Sequence, residues 1–175
     1  MIRLFAAIRP PADVRDALID TMEGLDSARW QSDEQLHLTL RFIGDVERPV
    51  AEDVATALSA IRFAPFSVSG DGVGTFDRKG RATALWARID PSPPLIELQQ
   101  RVEGACRRAG LDPEPRKFVP HMTIARLGNP AGDIGGWLAR HARLRVPPFE
   151  VGDFRLCQST LSRHGSVYHD IARFG

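Results

Sequence analysis

His37-Leu38-Thr39-Leu40 recurs 84 positions later as His121-Met122-Thr123-Ile124, in each case a histidine, an apolar residue, a threonine and an apolar residue. Five His and seven Thr in 175 residues give about 0.2 His-x-Thr tripeptides by chance, so a pair of them, each followed by an aliphatic residue, is a signal. Side chains alternate along a strand, so His37 and Thr39 share one face while Leu38, Leu40 and Phe42 share the other. The second copy repeats this, with His121 and Thr123 opposite Met122 and Ile124. One face of each strand is equipped for chemistry and the other for a core.

Working outward, the surroundings are duplicated too. Leu4-Phe5-Ala6-Ala7-Ile8-Arg9-Pro10-Pro11 resembles Leu85-Trp86-Ala87-Arg88-Ile89-Asp90-Pro91, an apolar strand running into proline. Val14, Leu18, Met22 and Leu25 follow the first at helical spacing, predicting a helix over 12–25; Leu95, Leu98, Val102 and Ala105 predict one over 94–109. Proline at each helix start is in a tolerated position. Strand, helix and His-x-Thr strand therefore occur twice, in copies beginning near residues 2 and 83. Between them the sequence predicts a helix over 50–61 and strands over 66–73 and 83–89; after them, a helix over 133–143 and strands near 149–156 and 167–172. The expectation is one α+β domain over residues 1–175, with two lobes related by a pseudo-twofold axis, antiparallel sheets lining a central cleft and helices outside. Both His-Thr pairs would then line that cleft.

Composition bounds the rest. The 175 residues suffice to bury a sizeable core without staples. Cys106 and Cys157 lie far apart, without a Cys-x-x-Cys pattern, and read as reduced thiols of a cytoplasmic protein. The apolar run Leu4 to Ile8 is too short for a signal peptide or membrane span. Net charge is +1, although residues 1–87 carry 10 basic and 13 acidic side chains and residues 88–175 carry 13 and 9. That argues against strong sequence-independent binding of long nucleic acid and leaves room for a local basic cleft that takes a short end.

Two imidazoles across a cleft suit a displacement that needs a base for the incoming oxygen and an acid for the departing one, because an ordinary imidazole titrates near pH 6.5. The Thr hydroxyls can donate to non-bridging phosphate oxygens, so a phosphodiester fits this set best. No His-Glu-x-x-His or similar ligand cluster points to a metal, no Gly-x-Ser-x-Gly elbow points to a serine nucleophile, and Gly70-Asp71-Gly72-Val73-Gly74 precedes no helix and reads as strand and turn. Arg41 shares the His37 face and is a candidate substrate contact. His141, His164 and His169 read as structural or exposed, and Trp30, Trp86 and Trp137 as packing residues.

These residues resemble the two-histidine phosphoesterase superfamily, and within it the RNA 2',3'-cyclic phosphodiesterases, also called 2'-5' RNA ligases. The likeness runs through Arg3-Leu4-Phe5-Ala6-Ala7-Ile8, His37-Leu38-Thr39-Leu40-Arg41-Phe42-Ile43-Gly44, Gly72-Val73-Gly74-Thr75-Phe76, Pro120-His121-Met122-Thr123-Ile124-Ala125-Arg126 and a tail from Ser159-Thr160-Leu161 to Gly165 and Tyr168. Where relatives often have a second aromatic after Phe5, this sequence has Ala6. The resemblance implies a cofactor-free, metal-independent enzyme. His37 would donate a proton to the leaving 3' oxygen and His121 would activate water, giving a 2'-phosphate. A 5'-hydroxyl in place of water would give 2'-5' ligation. It also implies that Thr39, Thr123 and Arg126 bind the phosphate, although strict alternation puts Arg126 on the face opposite His121 unless the strand bends. The expected partner is RNA with a cyclic phosphate end, or a small cyclic nucleotide, bound by a monomer. A cyclic-nucleotide or 2'-5' oligonucleotide phosphodiesterase and a non-catalytic RNA-end binder are the alternatives.

Overall fold

The computed structural model describes residues 1–175. In chain order the elements are β1 (Ile2–Ile8), α1 (Ala12–Ile19), β2 (Ala28–Trp30), β3 (Leu38–Val46), α2 (Arg48–Ser59), β4 (Phe66–Asp71), β5 (Val73–Arg78), β6 (Arg81–Arg88), α3 (Pro93–Arg108), β7 (His121–Leu127), α4 (Ile134–Arg140), β8 (Arg145–Val151), β9 (Phe154–Ser162) and β10 (Gly165–Phe174). All strand pairs are antiparallel. The fold is α+β. Strands run β10-β9-β1-β3-β7-β6-β5, with β2 beside β7, while β4 and β8 form a separate ribbon.

The duplication is legible in this order. β3 and β7 carry the two motifs and are neighbours, but they pair only at Leu38 and Met122, the equivalent middle residues of His-x-Thr. β1 flanks β3 as β6 flanks β7. Equivalent strands therefore meet edge to edge and continue one sheet.

Apolar alternation covers the back of this sheet. Leu4, Ala6, Ile8, Leu38, Leu40, Met122 and Ile124 join Val14, Leu18, Val54, Leu58, Leu95, Leu98, Val102 and Trp137 from the helices in one core of 31 buried residues. Deleting any of the larger side chains would cost about 2–5 kcal/mol. α2 packs on α3 and β1, and α3 lies against β3 and β4. A separate small cluster, Phe5, Ala7 and Cys157 with Tyr168 against it, sits on the opposite face. Both thiols are unpaired and buried.

α1 ends earlier than its periodicity suggests, because the Thr21 hydroxyl donates to Leu18 O (2.7 Å) and Gly24 turns the chain at φ +78°. The helix predicted over 133–143 forms over Ile134–Arg140 behind Asp133, whose side chain accepts from Gly136 N. Gly72, at φ +80°, makes the turn between β4 and β5, and no helix follows it. No helix is long and apolar enough to cross a membrane.

Candidate active site

Two β-bulges decide what faces the cleft. On β7, Thr123 pairs with Trp86 while Ala125 pairs with the preceding Leu85, so Ile124 is an extra residue and Ile124 and Ala125 are both buried. A bulge reverses alternation beyond it, and Arg126 thereby returns to the His121 face. On β3 the equivalent shift puts Thr39 opposite Ala7 and Arg41 opposite Ala6, leaving Leu40 as the extra residue. Here the outcome corrects two sequence expectations. Phe42, expected on the core face, lines the cleft, while Arg41 turns behind the sheet at 8% exposure. There its Nε donates to Glu103 Oε2 (2.5 Å), and its terminal nitrogens donate to Phe42 O and Asp112 O (2.6 Å each). Arg41 lies away from the cleft and braces β3 against α3 and the segment that leads to β7.

The cleft is a cavity of about 220 Å³ that brings together His37, Thr39, His121, Thr123 and Arg126, the other five site candidates. Each imidazole is held by the carbonyl two residues before it: His37 Nδ1 to Gln35 O at 2.6 Å and His121 Nδ1 to Val119 O at 2.7 Å. A carbonyl only accepts, so each Nδ1 carries the hydrogen and each neutral ring keeps a lone pair on Nε2. His37 Nε2 lies 2.9 Å from the Thr39 hydroxyl. Each ring also has an aromatic clamp. Phe5 and Tyr168 lie with ring centroids 4.8 and 5.3 Å from His37; Phe76 and Trp86 lie 4.7 and 5.9 Å from His121. A Cβ on Gly74 would stand 2.5 Å from the Trp86 indole, so that glycine gives the clamp its room.

Burial pushes the His37 imidazole down to about 4, and the nearby His121, Arg126 and Arg9 charges act in the same direction against the Gln35 bond. His121 is also lowered, chiefly by burial, with Arg126 adding to it and the Val119 bond opposing it. Both rings are therefore neutral near pH 7 in the free protein.

The sequence reading missed the clamps, apart from placing Phe5, Phe76 and Tyr168 in its resemblance, and it missed Gln31. That residue is 9% exposed and lines the cleft; its backbone N–H donates to Ile124 O (2.8 Å), and its carboxamide has no partner within the protein. Because β2 is only three residues long, no periodicity could mark it. Trp137 is a core residue, its indole N–H donating to Thr21 O (2.9 Å), and Trp30 packs beside it. Trp86 instead walls His121. His141 ends α4 against Trp137. Nowhere do three or more His, Cys, Asp or Glu side chains converge as metal ligands would.

The fold is thus an antiparallel sheet with a histidine-threonine pair from each half of the chain at its centre. The chain belongs to the 2'-5' RNA ligase superfamily, whose family model matches residues 10–159. Among curated relatives, RNA 2',3'-cyclic phosphodiesterase of Aeropyrum pernix is 33% identical over 162 residues, covering 90% of this chain and 89% of the relative. The protein of the same name from Thermotoga maritima is 30% identical, covering 95% and 91%. Among solved structures, TT0787 of Thermus thermophilus superposes with a TM-score of 0.82 at 26% identity over 98% of this chain and 96% of that one. Apo LigT of E. coli does so at 0.79 and 26%, over 99% and 96%.

Proposed function

We propose that this chain is an RNA 2',3'-cyclic phosphodiesterase that opens the cyclic ester to a 2'-phosphate by general acid-base catalysis between His37 and His121. The convergence of both His-Thr pairs on one cleft with Arg126 carries this reading, and the relatives' names agree with it. His121 Nε2 takes a proton from water as its oxygen attacks phosphorus. The bond from phosphorus to the 3' oxygen breaks, and His37 Nε2 gives that oxygen its proton. Thr39, Thr123 and Arg126 supply donors to the non-bridging oxygens, where charge develops. Each proton transfer contributes about 10²–10⁴ in rate.

The free imidazoles are neutral, so His37 must gain its proton as substrate binds. The phosphate's negative charge supplies the cause, since an anion in the cavity favours an imidazolium and opposes the repulsion by Arg126. The converging groups are imidazoles, hydroxyls, the guanidinium groups of Arg3 and Arg126 and a carboxamide, with no carboxylate among the residues lining the cavity. This is a donor set for an anion, and it supports a metal-independent reaction. A 5'-hydroxyl of RNA in place of water would use the same groups to make a 2'-5' linkage.

The test is incubation, in EDTA, with a 2',3'-cyclic nucleotide and with a short RNA ending in a cyclic phosphate, resolving products by phosphorus NMR. The expected result is the 2'-phosphate alone, with the RNA turned over faster. Formation of a 3'-phosphate would overturn the assignment of the two histidines, and turnover of neither ester would overturn the activity.

A further inference from the structure

The cations on the two sides of the cleft are treated differently. On the His37 side Arg3, Arg9, Arg155 and Arg173 are each paired, with Asp45, Asp33, Asp170 and Asp153; Arg163 at the β9-β10 tip is the exception. On the His121 side, β2, β5, β6, β7 and the β5-β6 turn carry Arg29, Arg78, Lys79, Arg81, Arg88 and Arg126, with Asp77 as the only carboxylate and no ion pair among them.

The register puts these charges on the working face. Arg29 stands directly opposite Arg126, and Arg88 directly opposite His121, and directly opposed residues of an antiparallel pair project to the same side. Phe76, Ala84, Arg126 and Arg29 form one row across β5, β6, β7 and β2. Three strand spacings make that row about 14 Å wide. Arg78 lies two residues beyond Phe76, which touches His121, so the basic turn borders the same row.

In the proposed reaction His121 attends the incoming oxygen, so this is the side from which the nucleophile arrives. Water needs no row of unpaired guanidinium groups, whereas a nucleophile that is itself a polyanion does. We propose that the β2-β7-β6-β5 face binds the backbone of a second RNA strand and presents its 5'-hydroxyl to His121. The inference rests on the proposed phosphodiesterase reading. The step balances without a cofactor. The 5' oxygen bonds to phosphorus as its proton passes to His121, the bond to the 3' oxygen breaks, and that oxygen takes the proton of His37, leaving a 2'-5' diester.

The test compares the wild type with the triple variant Arg29→Ala/Arg78→Ala/Arg81→Ala and with Arg173→Ala as a paired-cation control. Hydrolysis of an RNA ending in a cyclic phosphate, and its ligation to a 5'-hydroxyl RNA of about ten nucleotides, are followed from 0.05 to 0.3 M salt. Anisotropy of the labelled 5'-hydroxyl RNA reads binding alone. The wild type is expected to ligate; the triple variant should bind that strand at least about tenfold more weakly, with a log-log salt slope smaller by about 2, and should keep its hydrolysis. Arg173→Ala should leave the slope unchanged. A triple variant that loses hydrolysis of the cyclic-phosphate strand equally would mean that the substrate's own body lies there. No binding of the 5'-hydroxyl strand by wild type, or the same slope in all three proteins, would overturn the proposal outright. Absence of hydrolysis in wild type overturns the phosphodiesterase reading instead, and the anisotropy arm still judges the surface.

Discussion

Arg41→Ala separates a brace from a substrate contact. The guanidinium is 8% exposed, bonded to Glu103 and two carbonyls and 3.6 Å from Glu114, whose side chain is 19% exposed; Glu103 is 20% exposed. Removing it strands the largely buried Glu103 carboxylate and frees the Phe42 and Asp112 carbonyls, while Glu114 keeps its closer pair with Arg116 (2.9 Å). Breaking one partner of a buried ion pair costs about 3–5 kcal/mol. At about 2–4 °C per kcal/mol for a chain of this size, Tm should fall by about 6–20 °C. Glu103 also accepts from Glu114 N (3.0 Å), in the segment leading to Val119, so some loosening of His121 is expected as well. Kinetics measured well below the variant's Tm should therefore show a kcat/KM loss of only about tenfold or less, mostly in kcat. Arg41→Lys keeps the charge but loses the fork and should fall between the two in Tm. Differential scanning calorimetry with steady-state kinetics decides the matter. An unchanged Tm with a hundredfold rise in KM would refute the brace and restore Arg41 as a substrate contact.

Further outcomes follow from the same geometry. His37→Ala and His121→Ala should each lose at least about 10² in kcat, and the double variant should lose little more, as expected of two groups that act as one unit; full activity in either single variant would sink the mechanism. Because both imidazoles lie below their ordinary value, the two apparent pKa values of kcat/KM should fall below about 6.5, and the kcat profile should shift to higher pH once bound phosphate favours the imidazolium; coincident profiles would refute that coupling. The same shift makes stability fall with acid: an unfolded His37 takes its proton near 6.5 and the folded one near 4, so up to about 3 kcal/mol is lost as pH drops through that window, and urea midpoints of wild type against His37→Gln should diverge accordingly. Gln31→Ala should raise KM severalfold with Tm nearly unchanged, since the carboxamide bonds nothing in the protein; an unchanged KM would remove it from the site.

Much of this was legible in the sequence because it rests on local spacing. Alternation identified the motif strands, and prolines marked the starts of α1 and α3. β8 was only half read, since Pro147 and Pro148 disguise a strand; they are tolerated because β8 pairs with β4 alone and leaves its other edge free. The faces of Arg41, Phe42 and Arg126 were misread or left conditional because a bulge depends on how the neighbouring strand pairs, and no period within β3 or β7 encodes that. Arg41 could not be recognised as a buried ion, because Glu103 and Glu114 reach it from α3 and the segment after it, 62 and 73 residues away. Tyr168 and Phe76 likewise reach the histidines from strands whose order only the folded sheet defines.

The departures from symmetry carry more information than the repeat does. Duplication gives two equivalent His-Thr pairs, each tied by the carbonyl two residues before the histidine, and such a pair alone would not distinguish acid from base. The distinction must come from positions where the copies differ. At the residue that each bulge returns to the cleft, one copy has Phe42 and the other Arg126. The position 84 residues after Gln31 is Pro115, which has no side-chain donor. Arg126 and Gln31 thus both come from elements on the His121 side, β7 and the end of β2; at the matching bulge position the His37 side offers an aromatic ring, and the guanidinium it does bring to the cleft, Arg3, is held by Asp45 (2.9 Å). In the proposed reaction, a guanidinium and a carboxamide without protein partners on one side would hold the phosphate's non-bridging oxygens in one orientation and so set which ester oxygen points to His37. Exchanging the two residues, as Phe42→Arg with Arg126→Phe, should therefore lower turnover more than it lowers affinity for phosphate: the charge stays in the cleft, but the orientation it imposes is reversed.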